Sequence, residues 1–385
     1  MTRQRRSGIR VTSPWLVAVL LLAGCAHAPA PVLPVAPAIK PSPVQCSDLV
    51  SCGARGDGVT DDTAAFLAAV NATPLGGALT ISTAQTCFRI SAPVVITKAI
   101  SIRGEGWASD SWGMRFGEAG FLAHFHGSVL CSDVSSGTAL TLTPSAGGRF
   151  ANFAVIGPGK GTSTGVSFGA PGRYLQVSSI DNVVSGNFAN PVYIFAQNST
   201  FNGLRVDGAA PAGADLIGTG VYIGSVPSGS SNSNTFTGLV IAGGNHVNLY
   251  ASGQVNVFNG FDLENPAPND PTATQIEAWL CNECVFTGGY IESAAGQNYT
   301  GENIVVDGPA TRSNSIGATF TNMHISGGPT SIHLKHAYHT TIHGGQVGRI
   351  LIDATSGPTN LFAVDYDALE NDGGQTNNLQ EGAAW

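Results

Sequence analysis

The chain has 385 residues and is acidic, with 17 basic and 25 acidic residues, a formal net charge of -8 and only 11% charged side chains. An acidic protein without a basic patch repels phosphate backbones, so the composition argues against a nucleic acid partner. It also disfavours a polyanionic glycan as ligand, unless a cation bridges the carboxylates. We therefore expect no required cofactor, assign no residue to a metal, and name Ca²⁺ as the one possible ion.

The N-terminus has the pattern of an export signal. Four arginines precede a short apolar run, Trp15 to Ala23, which is too short to span a bilayer as a permanent helix. The run ends in Leu22-Ala23-Gly24-Cys25, which resembles the lipobox of bacterial lipoproteins. The resemblance implies that residues 1–24 are a signal peptide and that Cys25 is the lipid attachment site.

Residues 25–45 are rich in Pro and Ala, a composition typical of an extended tether. Removal of the signal peptide takes away four arginines and moves the formal charge from -8 to -12. We therefore expect a domain held in the bacterial cell envelope by a lipid anchor in a membrane, most simply the outer membrane, facing either the periplasm or the cell surface.

Residues 46–369 are expected to form a single all-β domain. Short runs of Val, Ile, Thr and Phe alternate with Gly, Asn and Ser, and the chain contains 50 glycines. Residues 370–385 are mostly polar and are expected either to cover the end of the domain or to be disordered. No coiled-coil or tail motif indicates the oligomeric state.

One helix is predicted, from Thr60 to Ala72, where Asp61, Asp62 and Thr63 offer N-capping oxygens. The segment from Gly53 to Phe66 reads GARGDGVTDDTAAF and resembles the GAxGDGxxDDTxAF opening of the pectate-lyase-like superfamily, which includes pectate lyase 3, rhamnogalacturonase and tailspike-type domains. Residues 76–106 resemble that family's first turns. The resemblance implies a right-handed parallel β-helix with an N-terminal capping helix, in which Asp57, Asp61 and Asp62 are structural.

A repeat in the second half of the chain supports a solenoid without reference to any family. The copies share an aromatic residue, a polar residue and a Gly or Asn before a short strand. They begin at Phe201, Phe236, Phe258, Phe286 and Phe320, with a weaker copy at Ile342. The smallest spacing is 22 residues, which we interpret as one turn of the solenoid, with longer spacings containing inserted loops.

Alternation along each strand then sorts the side chains, because successive residues point to opposite faces of a sheet. The inward set is Leu204, Val206, Leu239, Ile241, Phe261, Leu263, Ile291, Met323 and Ile325. The outward set is Arg205, Asp207, Val240, Ala242, Asp262, Glu264, Tyr290, Glu292, His324, Ser326 and Gln346. The outward set predicts a polar ladder that could hold a sugar chain.

Asp262, Glu264 and Glu292 are the candidate catalytic residues. Neighbouring turns lie about 4.8 Å apart, so Glu264 and Glu292 approach the roughly 5–5.5 Å spacing of a retaining glycosidase. The diagonal from Asp262 to Glu292 is nearer the roughly 6.5–9.5 Å of an inverting enzyme. Repulsion between stacked carboxylates should raise one pKa, as a general acid requires.

Substrate contacts are expected from Arg205, Asp207, Tyr290 and His324 on the same face, and from three tryptophans. Trp107 and Trp112 lie in a Gly-rich insertion, and Trp279 lies in a segment, Asn265 to Asn282, expected to overhang the ladder. Exposed aromatic rings commonly stack on sugars. The alternative is that these tryptophans hold their own loops against the β-helix.

The leading functional hypothesis is a polysaccharide-active glycoside hydrolase. The chain lacks the paired-aspartate, GHG and RIK motifs of polygalacturonases and the YGFDPHD-like motif of alginate epimerases. A polysaccharide lyase, with Arg205, Tyr290 or His324 neutralising or deprotonating a uronate, is a second hypothesis. A surface lipoprotein that binds glycan without turnover is a third.

Two further residue clusters have simpler interpretations. Six cysteines follow Cys25 in a chain expected to be exported, so some should pair as disulfides. Cys281 and Cys284 form a single CxxC, which fits a local disulfide or two buried thiols better than a metal site. His333, His336, His339 and His343 are interpreted as outward surface histidines that do not converge on a metal.

Overall fold

A computed structural model describes residues 46, 48–109, 125–144, 147–207, 218–226, 229–243, 245–265, 270, 272–293, 300–309, 317–372 and 376–380. The predicted signal peptide, the lipid attachment site Cys25, the tether and Trp112 lie outside these residues. Within the described ranges, no helix has the length and hydropathy needed to cross a membrane.

The described residues contain one α-helix, α1 (Thr63–Ala72), followed by β-strands. The strands of the N-terminal half are β1 (Ala78–Ile81), β2 (Phe88–Ile90), β3 (Val94–Ile96), β4 (Ser101–Gly104), β5 (Trp107–Ser109), β6 (Phe125–Gly127), β7 (Val129–Ser132), β8 (Thr138–Leu142), β9 (Arg149–Ile156), β10 (Thr164–Phe168), β11 (Leu175–Gln176), β12 (Ser179–Gly186), β13 (Asn190–Ile194), β14 (Ala196–Gln197), β15 (Thr200–Asn202) and β16 (Arg205–Asp207).

The strands of the C-terminal half are β17 (Thr219–Ile223), β18 (Ser225–Val226), β19 (Gly229–Ser230), β20 (Thr235–Thr237), β21 (Val240–Ala242), β22 (Val247–Gln254), β23 (Val257–Asn259), β24 (Asp262–Glu264), β25 (Thr274–Asn282), β26 (Val285–Thr287), β27 (Tyr290–Glu292), β28 (Glu302–Asp307), β29 (Thr319–Ser326), β30 (Thr330–Leu334), β31 (Thr340–Ile352), β32 (Thr359–Phe362), β33 (Asp365–Asn371) and β34 (Thr376–Gln380).

The strands stack in parallel on three faces of a β-helix. The first face contains β15, β20, β23 and β26, the second contains β16, β21, β24 and β27, and the third contains β13, β17, β22, β25, β28 and β30. Long strands such as β12 pair with both β15 and β16 and so join the first two faces. The all-β parallel β-helix predicted from the sequence is confirmed.

A column of phenylalanine rings fills the interior behind the first face. Phe201, Phe236, Phe258, Phe286 and Phe320 pair in register on successive turns. Adjacent ring centroids lie 4.6–4.9 Å apart, and each residue is at most 1% exposed. These are the first residues of the repeat copies, so each copy is one turn of the solenoid.

Each repeat copy bends between the first and second faces at a residue with left-handed backbone. Gly260 and Gly288 have φ near +60°, and Asn322 takes the same conformation with a φ of 52°. Glycine adopts this region without a steric penalty, and asparagine tolerates it better than most residues. The repeated Gly or Asn therefore fixes where the chain turns onto the second face.

The predicted capping helix is present, but it begins at Thr63 instead of Thr60. The Asp57 carboxylate accepts hydrogen bonds from the backbone of Val59 and Thr60, which holds these residues in a turn. These bonds, chiefly the one from Thr60, lower the pKa of Asp57 to about 2. The buried side of the helix joins the core through Phe66 and nearby residues.

Asp61 and Asp62 also bind the opening loop together, as the structural interpretation requires. Asp61 accepts hydrogen bonds from the Thr63 backbone and from the Ser91 hydroxyl, which lowers its pKa to about 2. Asp62 accepts hydrogen bonds from the backbone of Arg55 and Gly56.

All six cysteines after Cys25 form disulfides. The pairs are Cys46–Cys52, Cys87–Cys131 and Cys281–Cys284. The CxxC is therefore a local disulfide at the corner that follows β25.

At the C-terminal end, β33 runs across the predicted boundary at residue 369, and β34 pairs in parallel with β32. The parallel strands thus continue into the segment that the sequence analysis assigned to a polar tail.

The phenylalanine column gives a prediction about stability. Phe258→Ala removes a fully buried ring that stacks on two neighbours, so it should lower the free energy of unfolding by about 3–5 kcal/mol. Phe258→Leu retains most of the volume and should cost clearly less. Urea denaturation followed by circular dichroism measures both. Equal losses for the two variants would mean that the ring stacking is not what stabilises this column.

Candidate active site

The predicted outward ladder is present on the second face, which we call the ladder face. We define it by the outward side chains of β16, β21, β24 and β27, of the end of β29 and of the middle of β31. Its first column contains Arg205, Val240, Asp262, Tyr290, His324 and Gln346 in direct register. Its second column contains Asp207, Ala242, Glu264, Glu292 and Ser326. All predicted inward residues are buried.

Three carboxyl groups meet on two adjacent turns of this face. Glu264 and Glu292 are direct register partners, and Asp262 precedes Glu264 by two residues on the same strand. All three are half-buried. Burial raises the pKa of Asp262, and the charge of Glu292 raises it further. Burial also raises the pKa of Glu264, with further contributions from Asp262 and Glu292.

Glu292 has a hydrogen-bond donor that its neighbours lack. The Tyr290 hydroxyl donates to Glu292 Oε2 at 3.2 Å, and this contact is the main cause of the raised pKa of Tyr290. The Tyr290 ring stacks on the His324 imidazole with centroids 5.3 Å apart. The stacked ring fixes the hydroxyl beside the carboxylate.

Asp262 has a different environment. Its Oδ1 atom is buried and has no hydrogen-bond partner among the described residues. An ionised carboxylate with a buried, unpaired oxygen is costly, whereas a protonated carboxyl is less so. Arg205 binds Asp207, which lies on the same strand, β16, with N–O distances of 3.1–3.3 Å. The positive charge of Arg205 is therefore paired with that carboxylate.

A column of buried amides, which the sequence analysis missed, anchors the backbone of the acidic strands. Asn248 Nδ2 donates to the carbonyl of Glu264 at 3.1 Å, and Gln275 Nε2 donates to the carbonyl of Glu292 at 2.9 Å. Both amides are fully buried on the third face. Because they bind carbonyls in consecutive turns, they hold the two glutamates at a fixed separation.

A shallow cleft of about 210 Å³ continues the ladder face beyond Glu292. Its walls include Ser326, Gln346 and Asp365, which follow the carboxylates in the same two columns, and Ser331 from the third face. Gly348 also lines the cleft, and a Cβ atom at this position would lie 2.9 Å from Ser331 Oγ. The cleft extends the polar face toward the C-terminal turns.

Of the predicted tryptophans, Trp107 supports its own loop. Its Nε1 donates to the Asn182 carbonyl at 3.1 Å, and the ring packs on a cluster containing the Cys87–Cys131 disulfide and Val184. Val184 is the register partner of Arg205, so Trp107 also lies beside the N-terminal part of the ladder face. Trp107 therefore holds its own loop against the β-helix, which is the alternative to sugar stacking given in the sequence analysis.

The prediction that Trp279 overhangs the ladder is wrong. Trp279 lies in strand β25 of the third face, paired with Asp307. Apolar residues fill the inward positions of this segment, and their burial against the core makes it a strand instead of a loop. The outward residues of β25 therefore face a different side of the β-helix from the three carboxylates.

The third face carries a second column of stacked polar side chains that the sequence analysis did not identify. Tyr193, Tyr222, Tyr250 and Glu277 follow one another in register, with centroids of the last two rings 4.9 Å apart. We call the outward side of β13, β17, β22, β25, β28 and β30 the tyrosine face. Period-2 alternation in residues 247–251 and 274–279 was the signal that could have revealed it.

One of the four clustered histidines differs from its prediction. His339 and His343 are exposed as expected, but His333 is only 8% exposed, because Glu302 and Asp353 cover its two ring nitrogens. Burial opposes the protonation of His333, but the two carboxylates outweigh it and raise its pKa. No group of three or more potential ligands in the described part of the chain has metal-site geometry. The expectation that no cofactor is required, with Ca²⁺ as the one possible ion, stays a prediction.

The sequence matches no family model and no curated protein. Solved structures do match. The catalytic unit of a thermostable GH87 α-1,3-glucanase from Streptomyces thermodiastaticus is 15% identical, with a TM-score of 0.54 over 91% of this chain and 72% of that chain. The tailspike protein of Acinetobacter phage vB_ApiP_P1 is 14% identical, with a TM-score of 0.55 over 88% of this chain and 62% of that chain.

The Dettilon tailspike protein is 10% identical, with a TM-score of 0.52 over 84% of this chain and 65% of that chain. The chain thus spans less than two thirds of the length of both tailspike proteins. At these identities the comparisons establish the architecture, and they agree with the resemblance of the N-terminal motif. The described domain is a right-handed parallel β-helix.

Proposed function

We propose that this protein is a cell-envelope glycoside hydrolase that cleaves a polysaccharide on the ladder face. The observation that carries the proposal is the direct register of Glu264 and Glu292, together with the hydrogen bond that the Tyr290 hydroxyl donates to Glu292. Adjacent strands are about 4.8 Å apart, which brings the two carboxyl groups near the roughly 5–5.5 Å separation of retaining enzymes. The amides Asn248 and Gln275 fix that separation.

The two glutamates differ in the way that a retaining mechanism requires. Glu264, with its raised pKa, donates a proton to the glycosidic oxygen as the bond to the leaving sugar breaks. Glu292, bound by Tyr290, attacks the anomeric carbon and forms a glycosyl ester. Glu264 then takes a proton from water, whose oxygen displaces Glu292 and releases the sugar with its original configuration.

The substrate is expected to be a neutral glycan lying along the β-helix axis. Carboxylates are the most frequent charged groups on the ladder face. The cation of this face, Arg205, binds the carboxylate of Asp207. A polyuronate would therefore meet repulsion over the catalytic turns. The cleft beyond Glu292 supplies hydroxyl, amide and carboxylate groups that can bind sugar hydroxyls. Because one protein of the same fold is an α-1,3-glucanase, α-1,3-glucan is a suitable first substrate.

Export to an oxidising compartment is supported by the disulfides. Three bridges involve all six cysteines that follow Cys25, and such bridges are rare in proteins of a reducing cytosol. Together with the lipobox-like segment, they support a lipid-anchored envelope protein whose β-helix meets its glycan outside the cytoplasm.

The first prediction concerns turnover. Glu264→Gln and Glu292→Gln should each lower the rate of reducing-end release by about 10²-fold or more, because each removes a proton-transfer or nucleophilic group. Glu283→Gln makes the same change at an exposed corner and should leave the rate unaltered. Release of product absorbing at 235 nm would indicate a lyase instead. Glycan binding without turnover would indicate a binding protein.

The second prediction concerns pH. The acid must be protonated, so the rate should fall as pH rises through the raised pKa of Glu264. Asp262 contributes to that rise, and Asp262→Asn should move the alkaline limb of the pH profile to lower pH. An unmoved limb in Asp262→Asn would show that Glu264 is not the titrating acid.

The third prediction concerns stability. The folded-state pKa of Asp262 is raised, so its contribution to stability is present below the unfolded pKa and is lost as pH rises through the folded one. Asp262→Asn should therefore raise the Tm at pH 7. The corresponding gain in the free energy of unfolding should be about 1 kcal/mol or less, because solvent screens a half-exposed site. The gain should vanish below about pH 4. A lower Tm at pH 7 would contradict this account.

The fourth prediction concerns the anchor. Cys25→Ser removes the sulfur that would carry lipid, so the protein should move from the membrane fraction to the soluble envelope fraction. Immunoblotting of fractionated cells measures this shift, and Cys52→Ser serves as a control for loss of a disulfide-bonded cysteine. Unchanged membrane association of Cys25→Ser would contradict lipid anchoring at this residue.

A further inference from the structure

The tyrosine face carries an acid–base pair that the ladder face does not explain. Glu277 follows Tyr250 in register on β25, and Trp279, two residues later, is the register partner of Asp307 on β28. Residues on the inward side of both strands are buried, so Glu277, Trp279 and Asp307 all point outward. They surround one patch of surface.

The backbone separation of Glu277 and Asp307 follows from the register. Asp307 lies one strand across and two residues along from Glu277, about 4.8 Å in one direction and about 6.8 Å in the other. The diagonal between the two backbone positions is about 8 Å, which is compatible with the roughly 6.5–9.5 Å between carboxyl groups that leaves space for a water molecule between a substrate and a general base. The spacing thus differs from that of Glu264 and Glu292.

The surroundings of the two carboxyl groups also differ. Glu277 is half-buried, and burial raises its pKa, with a further rise from Asp307. Asp307 Oδ1 accepts a hydrogen bond from the backbone of Gly308 at 2.7 Å and lies 3.1 Å from His336 Nδ1. These contacts suit a carboxylate that takes up a proton, whereas the environment of Glu277 suits a carboxyl that gives one away.

The side chains around the pair indicate a neutral sugar. The half-buried ring of Trp279 and the end of the tyrosine column at Tyr250 provide apolar surface for the C–H groups of a pyranose. The nearby basic side chains already contact carboxylates: Lys335 binds Glu302 at 2.8 Å, and His246 binds Asp270. A uronate would have to compete with these existing ion pairs.

We infer that the tyrosine face holds a second hydrolytic site, in which Glu277 is the general acid and Asp307 the general base for cleavage of a neutral glycan with inversion. Asp307 takes a proton from water, whose oxygen bonds to the anomeric carbon. The glycosidic C–O bond breaks, and Glu277 gives its proton to the departing oxygen. One water is consumed, and the two carboxyls return to their starting states by proton exchange with solvent.

This inference does not depend on the ladder face, since the two carboxylate pairs lie on different faces and predict opposite stereochemistry. The full-length protein, extracted from membranes in detergent, is incubated with α-1,3-glucan, laminarin and dextran. Proton NMR during the first minutes identifies the anomer released, and reducing-end assays give the rate. Retained product reports the Glu264 and Glu292 pair, and inverted product reports the Glu277 and Asp307 pair.

Glu277→Gln and Asp307→Asn are expected to lower formation of inverted product by about 10²-fold, while Glu264→Gln leaves it unchanged. Glu283→Gln, on the same turn as Glu277, is the matched control and should behave like the wild type. Trp279→Ala should raise the KM for inverted product more than it lowers kcat, as expected for a sugar-stacking residue. Melting curves establish that each variant is folded.

Two results would overturn the inference. One is the absence of inverted product from the wild-type protein on all three glucans. The other is inverted product that persists in folded Glu277→Gln and Asp307→Asn. In either case the ladder-face proposal is judged separately, by the retained product and its loss in Glu264→Gln.

Discussion

Stacking of equivalent side chains between successive turns is the interaction on which the rest of this structure depends. The phenylalanine column from Phe201 to Phe320 places each ring 4.6–4.9 Å from the next, close to the spacing of hydrogen-bonded strands. A slip of one residue would move every ring from the core to the surface. The buried column therefore fixes the register of the outward residues, including those that carry charge.

Fixed register has an electrostatic cost on the ladder face. Parallel strands place Glu264 about one strand spacing from Glu292, and Asp262 lies somewhat further from both, so three like charges share a small area. Isolated acidic side chains on a loop could move apart, but these are attached to a backbone held by the phenylalanine column and by the amides of Asn248 and Gln275. The repulsion is relieved when a carboxyl group holds its proton to higher pH. Its pKa is therefore raised, which is the property a general acid needs.

The tyrosine face shows how the same geometry yields a different arrangement. There the polar column begins with three tyrosines and reaches Glu277 only after them, while Asp307 is displaced along the neighbouring strand. The diagonal backbone spacing of this pair is longer than the direct spacing of Glu264 and Glu292. Different faces of one β-helix can thus hold carboxylates at two separations, because residues on neighbouring strands can be direct register partners or can be displaced by two residues along the strand.

The sequence alone determined the solenoid, its capping helix and the membership of the ladder, because burial at every second position and Gly or Asn at each bend are local patterns. Register between turns followed because the repeat copies are aligned by their phenylalanines. Tertiary structure alone decided what covers each residue. The position of Trp279 was predicted wrongly, because the sequence does not show where inserted residues lie. His333 was expected at the surface, because the carboxylates of Glu302 and Asp353 come near it only when strands from distant parts of the chain are brought together. The amide column and the pair of Glu277 and Asp307 were missed for the same reason: their meaning lies in contacts across turns, which no single strand contains.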